Sequence, residues 1–431
     1  MKNFLKKIVI AILTWEAKMV LSRFKPKIIA ITGSVGKTGT KDALFTALSS
    51  YFKARKSEKS FNSELGVPLT ILGCSTGWGS ALRWSEVLIR GLFSVFWNSG
   101  YPNLLILEVG ADRPGDIKKI TRWLKPHITV ITRFGEVPVH IESFRSREEL
   151  IDEKRNLVRA LRQGGTLILN SDDEDSLSFK KGFPVRSINY GVGDKAEVRG
   201  THYKITYSAE EKMKVPTGVS FRADFGGNSL PVNILGAIGK QQMYPVLVAF
   251  AVTLALRLNP VRVAESFTEH VSPPGRMRII KGVEGSTIID DTYNASPVAL
   301  MEALATFSEL EVGGKKIAVL GDMLELGKYS KKEHEKAGKV VAEFADMLIA
   351  VGERGNFIAE SAILNGMLSE AVFMVADSVI AGLKLKEALS FGDAVLVKGS
   401  QGMRMEKTVL AVMAHSEDSG KLLVRQEREW R

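Results

Sequence analysis

The sequence predicts an α/β protein: a P-loop-type central domain with a mostly parallel, doubly wound sheet and an antiparallel appendage, followed by a Rossmann-like α/β domain. Three observations carry this expectation. Short apolar segments alternate with helical stretches from residue 27 onward, the pattern of strands joined by crossover helices. A glycine turn, Gly33-Ser34-Val35-Gly36-Lys37-Thr38, joins the first of these strands to the first of these helices. The alternation then breaks at a cluster of turn formers over 259–275 and restarts beyond it. Length agrees, since 431 residues at roughly 100–200 per domain make two or three units.

Residues 1–26 read as an amphipathic helix, with Phe4, Ile8, Ala11, Ile12, Trp15 and Met19 near helical spacing. The apolar run 8–15 is too short to span a bilayer, and Glu16 and Lys18 follow it where a signal peptide would place small residues. Such a helix either packs on the protein or rests on a membrane surface with Lys2, Lys6 and Lys7 beside it. The central domain is set at 27–258. It begins with the strand Ile28-Ile29-Ala30-Ile31-Thr32 and a helix over 40–52. Strands over 104–109, 127–132 and 166–170 follow, with helices over 114–124 and 146–162 between them. Residues 74–101, bounded by aromatic positions that include Trp78 and Trp97, read either as a helical hairpin packed on the core or as an exposed apolar patch. Between 196 and 235 apolar and polar residues alternate around the turn Gly226-Gly227-Asn228, which is antiparallel hairpin material, and an apolar helix over 244–256 closes the unit. The second domain, 259–431, restarts the strands at 287–291, 316–320, 347–351 and 394–397.

The chain carries 59 Lys plus Arg against 48 Asp plus Glu, a net +11 that suits anionic partners. The basic residues are scattered instead of blocked, so no nucleic-acid partner is expected. A single cysteine, Cys74, excludes an internal disulfide and a thiolate metal site and fits a reducing cytoplasm. A monomer is expected.

The chemistry concentrates at the strand-to-helix turn. There, backbone N–H groups and a helix N-terminus would converge on phosphate oxygens, Lys37 would reach the terminal phosphates, and Thr38 would offer its hydroxyl to Mg²⁺. The spacing departs from the common P-loop, because Ile31 stands where that pattern has its first glycine. Glu108 alone interrupts its apolar strand with charge, and a carboxylate buried there without a cation would be costly. His140 lies in a loop on the same rim, where a histidine taken alone is more often structural or exposed. Asp290-Asp291-Thr292-Tyr293-Asn294 and Lys398-Gly399-Ser400-Gln401-Gly402-Met403-Arg404 end strands of the second domain. They are either ordinary solvated strand ends or the lid over a nucleotide.

Six ordered blocks, Ile31 to Thr38, Phe61 to Pro68, Glu108 to Ala111, Asp290 to Pro297, Leu320 to Gly327 and Lys398 to Ser400, closely resemble the Mur ligases of peptidoglycan synthesis, above all the members that add D-alanyl-D-alanine. The resemblance implies that ATP phosphorylates a substrate carboxylate and that an amine attacks the acyl phosphate to form an amide. It implies two Mg²⁺ ions, one held by Thr38 and Glu108 and one by His140. Lys154, in Asp152-Glu153-Lys154-Arg155-Asn156, matches the lysine that these enzymes carry as a carbamate. Lys37, His140 and Lys154 become the catalytic set. Gly33, Ser34, Val35, Gly36, Gln242, Arg276, Asp291, Tyr293 and Asn294 join Lys37 and Thr38 around the nucleotide, with Arg276 directed at the phosphates and Asp291 at the ribose. Asn62 and Ser63 face the muramyl-peptide precursor, and Lys398, Ser400 and Arg404 the incoming D-alanyl-D-alanine.

Three departures separate this chain from the family pattern. Only the helix over 3–24 precedes the phosphate loop, where relatives have a domain for the uridine nucleotide. Gln241-Gln242 and Pro245 replace the amide-bearing residues of the adenine pocket. Ser63 stands for a second asparagine, and Gln401 for the arginine after Lys398-Gly399-Ser400, so the amine substrate could differ, with Arg404 as a replacement cation. Two rivals remain: another amide ligase of the superfamily, and a non-catalytic nucleotide-binding protein at the membrane. Retention of Lys37, Thr38, Glu108, His140 and Lys154 together argues against the second.

Overall fold

The computed structural model describes residues 2–58, 61–77, 80–96, 100–138, 140–210, 213–427 and 430. Trp78 and Trp97 lie outside them. The first sheet contains β1 (Lys27–Thr32), β2 (Ala54–Lys56), β3 (Leu104–Glu108), β4 (Ile128–Ile131), β5 (Thr166–Asn170), β6 (Arg186–Gly191), β7 (Val198–Glu210), β8 (Met213–Phe225) and β9 (Asn228–Leu235). Their spatial order is β2-β3-β1-β4-β5-β6-β7-β8-β9. Pairing is parallel from β2 to β7 and antiparallel through β8 and β9. The parallel strands are covered on both faces, which is why β3, β4 and β5 are largely apolar and entirely buried. Chain order passes from one side of β1 to the other, so the crevice at the strands' carboxyl ends opens beside β1. The register sets Ile31 opposite Glu108 and Thr32 opposite Ile131, bringing the acid of β3 alongside the phosphate loop.

The second sheet holds β10 (Arg278–Lys281), β11 (Thr287–Asp291), β12 (Lys316–Gly321), β13 (Met347–Val351), β14 (Val372–Val375) and β15 (Ala394–Lys398) in the order β10-β11-β15-β12-β13-β14. It is parallel except for the β10/β11 pair. The helix Pro260–Ser266 packs on Met243–Ala255 and on β9, so the chain leaves the first domain only at the turn Ser272-Pro273-Pro274-Gly275.

Four helices frame the phosphate loop and the outer face beside it: α1 (Lys2–Phe24), α2 (Lys37–Leu48), α3 (Gly66–Leu72) and α4 (Ala81–Phe96). Helix α2 starts three residues earlier than the sequence implies. Gly36, at φ 87°, turns the chain directly from the loop into the helix. Among its described residues the segment 74–101 contributes one helix, α4, whose partner is α1. It is not a hairpin by itself. Helix α1 also packs differently from its apparent amphipathic pattern. Leu13, Ala17 and Val20 are buried, whereas Phe4, Ile8, Trp15 and Met19 face outward.

Between the two helices lies Glu16, 2% exposed, with Oε2 lacking any hydrogen-bond partner. A Cβ at Gly91 would come within 2.1 Å of that oxygen, so a larger residue there would require the Glu16 carboxylate to move. Burial pushes the Glu16 carboxyl up from 4.5 to about 7. The folded state thus holds the proton more tightly than the unfolded chain. The favourable contribution is complete below pH 4.5 and is lost as pH rises through about 7. Glu16→Gln keeps the shape and cannot ionise. It is expected to match the parent near pH 4.5 and to raise Tm by about 2–4 °C at pH 8 for each kcal/mol relieved, read by scanning calorimetry.

Candidate active site

The loop after β1 is pinned before it can meet a ligand. Ser34 and Val35 N–H both donate to Arg133 O (2.8 and 3.0 Å), so those two groups are turned toward β4 and not toward a phosphate. Gly33 runs so close to β4 that a Cβ would lie 1.9 Å from Thr132 Oγ1. What remains open is the N-terminus of α2, which has no side-chain cap and whose first-turn N–H groups lack intrahelical partners. These groups, with the helix dipole behind them, form the anion site. Lys37 sits over it and donates to Gly33 O (2.9 Å) and Ser34 O (3.3 Å).

Glu108 closes the other wall. Thr38 Oγ1 donates to Glu108 Oε2 (3.1 Å), and Asn62 Nδ2 donates to Glu108 Oε1 (3.3 Å). Lys154 reaches in from the helix Arg147–Arg159 and donates to Gly33 O (2.7 Å), the carbonyl that Lys37 also uses. Burial, followed by the nearby Lys37 cation, holds the Lys154 amine well below the usual lysine range. Burial also lowers Lys37, with Glu108 opposing the shift.

The second domain supplies the facing wall. Arg276 stacks its guanidinium 4.1 Å from the Tyr293 ring centre, and its Nε is buried without a partner. Asn294 Oδ1 accepts from Gln401 N (3.2 Å), and Ser400 Oγ accepts from Leu324 N (2.8 Å), which ties the loops after β11 and β12 to the loop after β15. His140, at φ 67°, meets Glu325 Oε2 of the second domain through Nδ1 (2.7 Å) and approaches Asp112 through Nε2 (3.6 Å). The cleft measures about 330 Å³.

Among the residues singled out in the sequence, the cleft brings together Ser34, Val35, Gly36, Lys37, Thr38, Asn62, Glu108, His140, Lys154, Arg276, Tyr293, Asn294 and Ser400. Others lie behind it. Asp291 and Lys398 form a buried ion pair, and Asp291 Oδ1 also accepts from Met277 N. Gln242 spends its amide on Arg276 O and Ser272 Oγ. Ser63 Oγ accepts from Gly66 N at the start of α3. Arg404 is held by Glu406 and stacks on Trp430, outside the cleft lining. Sequence reasoning misses Glu325 and Asp112, which flank His140, and Arg425. The buried Arg425 donates to Thr292 O, Tyr293 O and Glu406, and so braces Tyr293 from behind. Glu325 stands inside a recognised block, and its charge in an otherwise apolar run is the available signal.

The donor set fits Mg²⁺. Thr38 and Glu108 are hard oxygen ligands, both buried, and such an ion needs only one or two protein ligands beside phosphates and water. Among the described residues no cluster of three or more His, Cys, Asp or Glu could hold a metal by itself. A phosphate-bearing ligand also suits Ser34 Oγ and Arg276 Nε, two buried polar atoms of the cleft that have no partner.

Two family models match this chain: the Mur ligase middle domain over 96–253, and the Mur ligase glutamate ligase domain over 275–401. The chain belongs to the Mur ligase family. The UDP-N-acetylmuramoyl-tripeptide--D-alanyl-D-alanine ligase of Bacillus subtilis (strain 168) is 29% identical over 394 residues, covering 91% of this chain and 77% of that protein. The enzyme of the same description from Escherichia coli (strain K12) is 24% identical, covering 92% and 79%. Solved structures share the fold. MurF from Acinetobacter baumannii aligns with TM-score 0.75 at 22% identity, over 93% of this chain and 79% of that one. The MurF ligase from Thermotoga maritima in complex with ADP aligns with TM-score 0.75 at 23% identity, over 94% and 83%. In this Mur ligase the cleft lies between the two matched domains, since Glu108, His140 and Lys154 fall in the first match and Arg276, Tyr293 and Ser400 in the second.

Proposed function

We propose that this Mur ligase uses ATP to join D-alanyl-D-alanine to the terminal carboxylate of a UDP-muramoyl-tripeptide. The observation that carries the proposal is the convergence of Lys37, the Thr38–Glu108 pair and the buried amine of Lys154 on one loop, beneath a second domain that contributes Arg276 and Tyr293.

The terminal phosphoryl group of ATP passes to the acceptor carboxylate: a carboxyl O–P bond forms as the P–O bond to ADP breaks. The amine nitrogen then attacks the acyl carbon, phosphate leaves with the bonding pair, and the nitrogen loses a proton. Lys37, the N-terminus of α2 and Arg276 stabilise the negative charge that spreads over the transferring group. Mg²⁺, when bound, would neutralise phosphate charge and orient the transferred group, with Thr38 and Glu108 holding one ion and His140 and a carbamylated Lys154 a second. Carbamate formation needs the neutral amine, which attacks CO₂ and releases a proton. A burial-lowered Lys154 supplies that form nearer neutral pH than a surface lysine does. Contact between the domains, including the Arg133–Glu302 and His140–Glu325 pairs, keeps water from the acyl phosphate. The proposed setting is the cytoplasm, with the enzyme acting as a monomer.

Mass spectrometry of a reaction with ATP, Mg²⁺, UDP-muramoyl-tripeptide and D-alanyl-D-alanine tests the proposal. The expected product gains the dipeptide less one water, with ADP formed in equal amount. Absence of any conjugate while ADP accumulates would sink it. One observation favours a second reading, in which the amine differs: Gln401 lines the cleft where relatives carry arginine, and Arg404 is committed to Glu406 and Trp430 instead of replacing it. A panel of dipeptides and amino acids in the same assay distinguishes the two.

A further inference from the structure

Helices α1 and α4 pack on each other and bury only one side of each. On α1 the buried residues Leu13, Ala17 and Val20 are about half a turn from Phe4, Trp15 and Met19, which are 68%, 50% and 39% exposed. On α4 the buried Val87 and Val95 are likewise opposite Leu82 and Ile89, 84% and 68% exposed. Neither exposed stripe contributes to the cleft. Large outward apolar stripes on two adjacent helices need an apolar or interfacial environment.

Charge identifies that environment. Lys6, Lys7 and Lys18 are exposed on α1, whose one acid is the buried Glu16. On α4, Arg83 and Arg90 face a single acid, Glu86, which pairs with Arg90. Beside the second half of α1 a groove of about 290 Å³ is lined by Lys18, Trp123, Lys125 and Arg162. Among the described residues, the charged ends of Lys125 and Arg162 hydrogen-bond neutral groups there, Thr121 O, Lys125 O and the His127 ring. Cations beside apolar stripes, with tryptophans at the border, match the headgroup region of an anionic leaflet. A second copy fits less well, because it would set lysine-rich faces together on chains of net charge +11. No helix among the described residues is long and apolar enough to cross a membrane, so the contact is a surface one.

We propose that α1 and α4 lie in the interface of an anionic bilayer leaflet, with the groove of Lys18, Lys125 and Arg162 receiving a phospholipid phosphate. This holds the cleft at the membrane surface, because α3, packed on α1, continues from the loop that carries Asn62.

Flotation of the full chain with vesicles of phosphatidylcholine, alone or mixed with phosphatidylglycerol, tests this. Binding is expected only to the mixed vesicles and falls with added salt. The double variant Phe4→Glu/Ile89→Glu is expected to lose at least about tenfold in partitioning, and Lys18→Glu/Arg162→Glu at least about twenty-five-fold, on a scale of about fivefold per cation. ATP turnover without vesicles stays unchanged in both, since all four side chains lie outside the cleft. Equal binding to phosphatidylcholine alone, no binding to either vesicle, or a dimer in solution that Phe4→Glu/Ile89→Glu dissolves would each overturn the proposal.

Discussion

Lys37→Ala is expected to lower kcat/KM for ATP-dependent ligation by about a hundredfold to a thousandfold, the range for removing one preorganised charge from a transferring group. The size follows from position. The ammonium sits within hydrogen-bond distance of Gly33 O and Ser34 O, beside the open N-terminus of α2, and its partial burial strengthens its interaction with any phosphate. The fold does not need this side chain. Its partners are two loop carbonyls, the loop itself is held by Ser34 and Val35 N–H on Arg133 O, and alanine suits the first position of a helix. Tm should therefore barely change, and KM for the amine should stay near the parent value. Steady-state kinetics with ADP and product measured together check this. A variant that retained a tenth or more of its turnover would remove Lys37 from the phosphoryl-transfer step.

Lys154→Ala is expected to cost a similar or larger factor, and Lys154→Arg should not restore activity, because a guanidinium stays charged and forms no carbamate. The parent enzyme, depleted of CO₂, should lose activity and regain it on adding bicarbonate. The pH dependence has a definite sign. Burial and Lys37 depress the Lys154 amine, so the neutral form that reacts with CO₂ persists to lower pH than for a free lysine, and reactivation should extend correspondingly lower. Activity indifferent to CO₂ and bicarbonate, with Lys154→Arg fully active, would leave Lys154 as a structural donor to Gly33 O and nothing more.

The parts of this molecule that can be read from sequence are those where local pattern and burial agree. Strands β1, β3, β4 and β5 are covered on both faces and announce themselves as apolar runs. By contrast β2, β10 and β14 are short and lie at sheet edges, only partly buried, so their composition is mixed. Helix α1 is apolar on nearly every side, so periodicity points to Phe4, Ile8 and Trp15 as a face while packing chooses Leu13, Ala17 and Val20. At the site, Lys37, Thr38, Glu108 and Lys154 are legible because each is anomalous in its setting or belongs to a motif. Asp291 and Lys398 are legible as charges but not as a pair, since no spacing in sequence reveals that β11 and β15 are neighbours. Glu325 and Arg425 act through tertiary contact alone, one across the domain junction to His140 and the other behind Tyr293. Neither contact can be read locally, although the charge of Glu325 in an apolar run marks that residue itself.

In the proposed reaction ATP is spent on activating a carboxylate. That step is tested most directly by running the reaction with ¹⁸O in the acceptor peptide's terminal carboxylate and analysing the phosphate released. An acyl phosphate intermediate requires one labelled oxygen to pass from peptide to phosphate for each amide formed. Unlabelled phosphate, with both carboxyl oxygens unexchanged in the recovered peptide, would contradict the account.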